Sequence, residues 1–218
     1  MKFENAYKGV KRIFSAEILS LIYAVTLGCG LIFGLATSIA AAESSEGIFV
    51  IFGTLSLVLM IGGGVIGIIA FILKIVGISN AAKDEPAFST ALAFIFISIV
   101  LLCTNVVFQT VSPLVADISN TVVKCCELAC TLFIIQGVIN LANRCNNADM
   151  VRKGNNIFKV ILAIYTLIII AHIMVAIFRA NPVTASIALI LMITAMVLAI
   201  VQYLMFLSFL AKAKKMLA

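Results

Sequence analysis

Charged residues come in clusters along this chain, and long neutral stretches separate them. Residues 18–42, 47–73, 86–116 and 180–211 carry no charge, and 160–178 form a fifth neutral run. A sixth, 118–143, is interrupted only by Lys124 and Glu127. A helix rises about 1.5 Å per residue, so roughly 20 apolar residues cross a 30 Å hydrocarbon core. The longest runs hold one span plus a neutral loop and are too short for two. Segments of about 10 strictly alternating residues, the mark of a membrane barrel, are missing. The pattern therefore predicts an all-α, six-helix transmembrane bundle, with spans near 15–40, 48–76, 88–112, 119–143, 157–178 and 184–210. Proline placement agrees: Pro86 precedes the third span, Pro113 follows it and Pro182 precedes the sixth. A missing N–H costs least at such boundaries.

The odd-numbered helices open alike. Phe14-Ser15-Ala16-Glu17 matches Phe88-Ser89-Thr90-Ala91 and Phe158-Lys159-Val160-Ile161, each behind a polar stretch. The even-numbered helices place Lys74, Gln136 and Gln202 about two turns before a polar segment. Such periodicity predicts three tandem helical hairpins in one orientation, near 14–78, 87–144 and 156–212, within a single integral membrane domain spanning 1–218. Any pseudo-symmetry axis would then run along the membrane normal, as in parallel-repeat transporters. This layout, with segments such as Gly77-Ile78-Ser79-Asn80-Ala81-Ala82-Lys83-Asp84-Glu85, resembles small uncharacterised prokaryotic multi-pass membrane proteins built of repeated hairpins. The resemblance implies a helical membrane fold and carries no activity.

Composition narrows the class. The chain is 64% hydrophobic and 11% charged, with mean hydropathy +1.25. A soluble chain is about 25% charged, so this one lacks the polar surface of a soluble enzyme or nucleic-acid-binding domain. Orientation follows from where the basic residues lie. Lys2, Lys8, Lys11 and Arg12, the 2–3 connection with Lys74 and Lys83, the 4–5 connection with Arg144, Arg152, Lys153 and Lys159, and the tail with Lys212, Lys214 and Lys215 share one side. That side is predicted to be cytoplasmic, with both termini on it, in the cell membrane. The net charge of +6 then forms a band against anionic lipid, and no nucleic-acid partner is expected. Ala40-Ala41-Ala42 before Glu43 looks like a signal-peptidase site, but the 25-residue run ahead of it exceeds the roughly 7–15 apolar residues of a signal peptide. The first helix is expected to be retained.

Candidate chemistry sits on the few polar groups inside the spans. Lys124 and Glu127 share a helix face and are able to pair. His172 is the one histidine, and Asn105 and Gln109 share a face of the third helix. Counted from the predicted outer helix ends, Asn105, Glu127 and His172 fall about 9–12 Å deep. That depth predicts an outer-leaflet polar cluster of Asn105, Gln109, Lys124, Glu127 and His172. Packing or solvated helix ends explain the same residues without function. Ten of thirteen glycines lie between Gly28 and Gly77. Gly30 with Gly34, and Gly63 with Gly67, have the small-xxx-small spacing that lets helices approach closely or dimerise.

Cys126 and Cys130 lie one turn apart. Without a CxxC or further ligands they read as small buried apolar groups more readily than as a redox or metal site. No cofactor, metal or catalytic residue is expected, because no phosphate loop, nucleophile elbow or zinc-binding helix motif is present. Three functions stay open. The first is a small permease or channel for an ion or small polar solute. The second is a non-catalytic assembly subunit that binds a second copy or other membrane subunits, and the third a thiol oxidoreductase.

Overall fold

A computed structural model describes the backbone of residues 3–42, 46–111, 113–177 and 182–218. Side chains are described within these except at 40–46, 48, 106–118, 120, 168–189, 191–193 and 195–196. The described residues form six helices: α1 (Glu4–Ala42), α2 (Glu46–Ala81), α3 (Pro86–Val111), α4 (Pro113–Arg144), α5 (Ala148–Ile177) and α6 (Pro182–Leu217). Five stretches among the described residues are long and apolar enough to cross a membrane: Glu4–Ile39, Phe49–Ala81, Pro86–Asn105, Thr121–Arg144 and Val197–Leu217. The helices are compatible with a multi-pass membrane protein.

Several helices run past the predicted spans at their charged ends. α1 starts at Glu4 rather than near 15, α5 at Ala148 rather than near 157, and α6 continues to Leu217. The extensions are amphipathic. In α1, Ala6, Val10 and Ile13 are buried while Lys8, Lys11 and Arg12 are exposed. In α6, Phe206, Phe209, Leu210, Ala213 and Leu217 are buried at helical spacing. A count of neutral residues stops where charges begin, whereas a helix continues while one face still packs. The expected dozen-residue 4–5 connection shrinks accordingly to Cys145, Asn146 and Asn147. Asn146 takes a left-handed φ of 54°, and Asn147 N–H donates to Ala142 O at 2.9 Å, closing α4. Asn147 Oδ1 then accepts from Met150 N–H at 3.1 Å and caps α5. Pro113 opens α4 rather than trailing α3, so all three prolines occupy a first helical position.

Each helix packs on its neighbours in sequence, and α6 closes back on α1. The most extensive contacts are α1 on α2, then α3 on α4, then α5 on α6. Among the described residues, the buried core gathers at one end of the ring, where α1 starts and α2 ends. It joins Val10, Ile13, Ile78, Phe88, Ile134, Ile135, Val138, Ile161, Phe209 and Leu210. Polar locks surround this basal plug. Asp84, between α2 and α3, accepts from Ala6 N–H at 2.7 Å and from Asn5 Nδ2 at 3.1 Å, capping α1 from outside. Buried Glu85 meets Arg144 at 2.9 Å and accepts from Asn140 Nδ2 at 2.8 Å. A buried carboxylate needs such partners.

Candidate functional site

Above the basal plug, all six helices contribute to a cavity of about 490 Å³. The lining follows helical spacing: Ile95, Ser98, Ile99 and Leu102 on α3, Glu127, Cys130 and Thr131 on α4, and Ala199, Gln202, Tyr203 and Phe206 on α6. α1 supplies Glu17, α2 supplies Phe71 and Lys74, and α5 supplies Tyr165. Ile95, Cys130 and Phe206 also belong to the core cluster, so the plug floors the cavity.

Its strongest polar feature is an ion pair. Lys74 Nζ lies 2.8 Å from Glu17 Oε1, with the glutamate side chain 5% exposed and the lysine 27%. Tyr203 Oη donates towards Glu17 twice, to its backbone oxygen at 2.7 Å and to Oε2 at 3.1 Å. Three helices, α1, α2 and α6, are thereby tied at one carboxylate. Glu127 faces the same space within Coulombic reach of both Lys74 and Tyr165. It makes no ion pair among the described residues. The described lining thus holds two carboxylates and one ammonium, the second carboxylate, Glu127, belonging to an exposed residue.

Helix register brings the pair together. α1 and α2 run antiparallel, and the glycines report which positions face. Gly9 lies against Ala81, Gly77 against Ile13, Gly67 against Tyr23, Gly63 against Leu27, Gly34 against Ser56 and Gly53 against Thr37. Facing residue numbers total 90 at every one of these contacts. Glu17 and Lys74 fall one step from that line. Gly30 also sits against Met60 and Ser56, and its carbonyl accepts from Ser56 Oγ at 2.8 Å. The four glycines singled out from the sequence therefore touch α1 or α2 of the same chain.

The outer-leaflet cluster is redrawn. Helix α4 begins at Pro113, not 119, which puts Glu127 about 21 Å along it, near its middle. Asn105 lies about 9 Å from the end of α3, a shorter distance along its helix. Asn105 is buried, Lys124 is exposed, and no ion pair joins Lys124 to Glu127. Of the three whose side chains are described, Glu127 lines the cavity and Asn105 and Lys124 do not; Gln109 and His172 lie outside the residues whose side chains are described. Cys126 and Cys130 are buried free thiols, and Cys130 faces the cavity. Among the described residues no group of three or more His, Cys, Asp or Glu could hold a metal ion.

Glu17, Lys74, Gln202 and Tyr203 are the residues that the sequence reading missed. Lys74 counted as a connection residue because it ends a neutral run; it is inside α2, seven residues before Ala81. The signal was present. Glu17 stands just before neutral run 18–42 and Lys74 just after 47–73, so folding the chain between the runs sets opposite charges side by side. No known protein family, curated protein or solved structure matches the chain.

Proposed function

We propose that this protein is a small non-enzymatic permease for a cation or cationic small solute, with the central cavity as its binding site. The observation that carries the reading is the placement of Glu17, Lys74 and Glu127 in one cavity contributed to by all six helices. Ionisable groups in a membrane interior are costly and mark ion or substrate paths. One carboxylate in excess of ammonium favours a positive occupant. Ser98, Thr131, Gln202, Tyr165 and Tyr203 offer hydroxyl and amide partners around it.

Topology is part of the same reading. In this reading the basic band at the basal end faces the cytoplasm, with both termini on that side of the cell membrane, and the fold is read as three tandem hairpins around the cavity. Glu17, Ala91 and Ile161, the fourth residues of the repeated openings, are all buried. Of the three repeated closings, Lys74 and Gln202 line the cavity, whereas Gln136 is exposed and does not. One copy of the repeat thus carries the charges that the others replace with apolar or neutral groups.

The test is electrophysiology on a solid-supported membrane bearing the purified protein. Concentration jumps of Na⁺, of protons and of a panel of small amines are applied in turn. At least one is expected to give a saturable charge displacement that Glu17→Gln or Glu127→Gln reduces tenfold or more while the protein stays monodisperse. Silence to every cation, or an identical response in both variants, would sink the proposal.

A further inference from the structure

We infer that a groove between α5 and α6, separate from the cavity, is a binding site for one anionic phospholipid. α6 has two working faces. Residues 199, 202, 203 and 206 point to the cavity, while Val201, Leu204, Met205, Ser208, Phe209 and Lys212 line a second space of about 440 Å³. Both sets keep the i, i+3, i+4 spacing of a single helix face. The opposite wall comes from the start of α5, with Lys153, Asn156 and Ile157. No residue is shared between the two spaces.

The groove is graded along its length as a phospholipid is. At the basal end stand Lys153 and Lys212, each five residues inside its helix end, with Asn156 and Ser208 beside them. Towards the middle of α6 the wall becomes Val201, Leu204 and Met205, all exposed outward from the bundle. A phosphate at the lysines would let an acyl chain run down this apolar strip. No carboxylate lines the groove. Neighbouring cations are already engaged: Arg144 with Glu85, Arg152 with Asp149, and Lys214 over the Phe14 ring at 4.9 Å. Lys153 and Lys212 make no ion pair among the described residues. Basic pockets between transmembrane helices near a membrane surface suit anionic headgroups. The back of the groove is held firm, because Gly154 lies directly against Ile139 and Phe209, leaving no room for a Cβ.

The experiment is native mass spectrometry of the full chain in mild detergent. It is titrated with phosphatidylglycerol, with phosphatidylcholine of the same acyl chains, and with glycerol phosphate alone. One phosphatidylglycerol is expected to bind at least tenfold more tightly than phosphatidylcholine. Loss of one basic contact weakens binding about fivefold, so Lys153→Gln with Lys212→Gln should weaken phosphatidylglycerol about thirtyfold and leave phosphatidylcholine unchanged. The Lys153→Arg, Lys212→Arg pair should retain the lipid, and so should Lys159→Gln, which changes a lysine outside the groove. Equal retention of both lipids, or undiminished phosphatidylglycerol on the double glutamine variant, overturns the inference. So does protection against thermal unfolding by glycerol phosphate as strong as that by the lipid, which would make the groove a site for a soluble anion.

Discussion

Removing both members of the Glu17–Lys74 pair should cost far less than the sum of removing each alone. At 2.8 Å and an effective dielectric of about 20, the attraction is roughly 6 kcal/mol before desolvation is charged against it. Loss of one partner of a buried pair costs about 3–5 kcal/mol, because the survivor keeps its charge without compensation. Lys74→Met leaves the Glu17 carboxylate with only the Tyr203 hydroxyl, whose proton is shared with the Glu17 backbone oxygen. That variant should lose about 3 kcal/mol, the low end, since Lys74 keeps 27% exposure and part of its attraction is screened. Glu17→Gln should lose about 2 kcal/mol, because the lysine that remains can extend its stem towards the surface. The double variant should then lose only about 2–3 kcal/mol, a coupling of roughly 2–3 kcal/mol. Reversible unfolding in mixed micelles, titrated with sodium dodecyl sulfate, measures all four corners of the cycle. Additivity within about 0.5 kcal/mol would refute the pair as an energetic unit.

Three further outcomes follow from the geometry. Gly77→Ala should destabilise by about 1–3 kcal/mol, since its Cβ would come 2.9 Å from the Gly9 carbonyl and the Ile13 backbone nitrogen, neither of which can rotate away. Gly63→Ala meets only side chains, Leu27 at 3.4 Å and Thr26 at 3.5 Å, and should change stability by about 0.5 kcal/mol or less; heating followed by size-exclusion chromatography compares the two. Asp84→Ala removes the acceptor for Ala6 N–H, costs about 1 kcal/mol, and should speed hydrogen exchange over the first turn of α1 several-fold without affecting α6. With Cys130 as the lone cysteine, aminoethyl methanethiosulfonate should outpace the sulfonatoethyl reagent by about tenfold, and Glu127→Gln should shrink that ratio; equal rates would mean that the excess carboxylate sets no field in the cavity.

The number and order of helices were legible because lipid punishes charge, so gaps between charges mark spans. The basal extensions were not, because Ala6, Val10 and Ile13 carry an amphipathic pattern through a charged stretch that a gap count discards. Depth was the least secure quantity. Starting α4 six residues late moved Glu127 by about 9 Å, enough to group it with Asn105 rather than with Glu17 and Lys74. Glycine contacts were partly legible: Gly30, Gly34, Gly63 and Gly67 were singled out by spacing. The tightest approach of α1 to α2, at Gly9 and Gly77, lacks a GxxxG partner on either helix and shows only in the fold.

The cavity itself was hidden for a reason specific to membranes. In water, a helix announces its inner face by being apolar there and polar elsewhere. In α6 both faces are largely apolar. Ala199, Tyr203 and Phe206 look into the cavity while Val201, Leu204 and Met205 look outward, so hydrophobic period says nothing about direction. Direction must then be read from the rare polar groups. Gln202, one residue from Tyr203, points α6 at the cavity as Glu17 does α1 and Lys74 does α2. Two of these three bound a neutral run, and Lys74 was assigned to the membrane surface on that ground. Pairing the runs before assigning depth would have reversed that assignment. Glu17 and Lys74 lie one step off the line on which α1 and α2 face each other, and opposite charges at matched positions of antiparallel helices are far cheaper in lipid paired than apart.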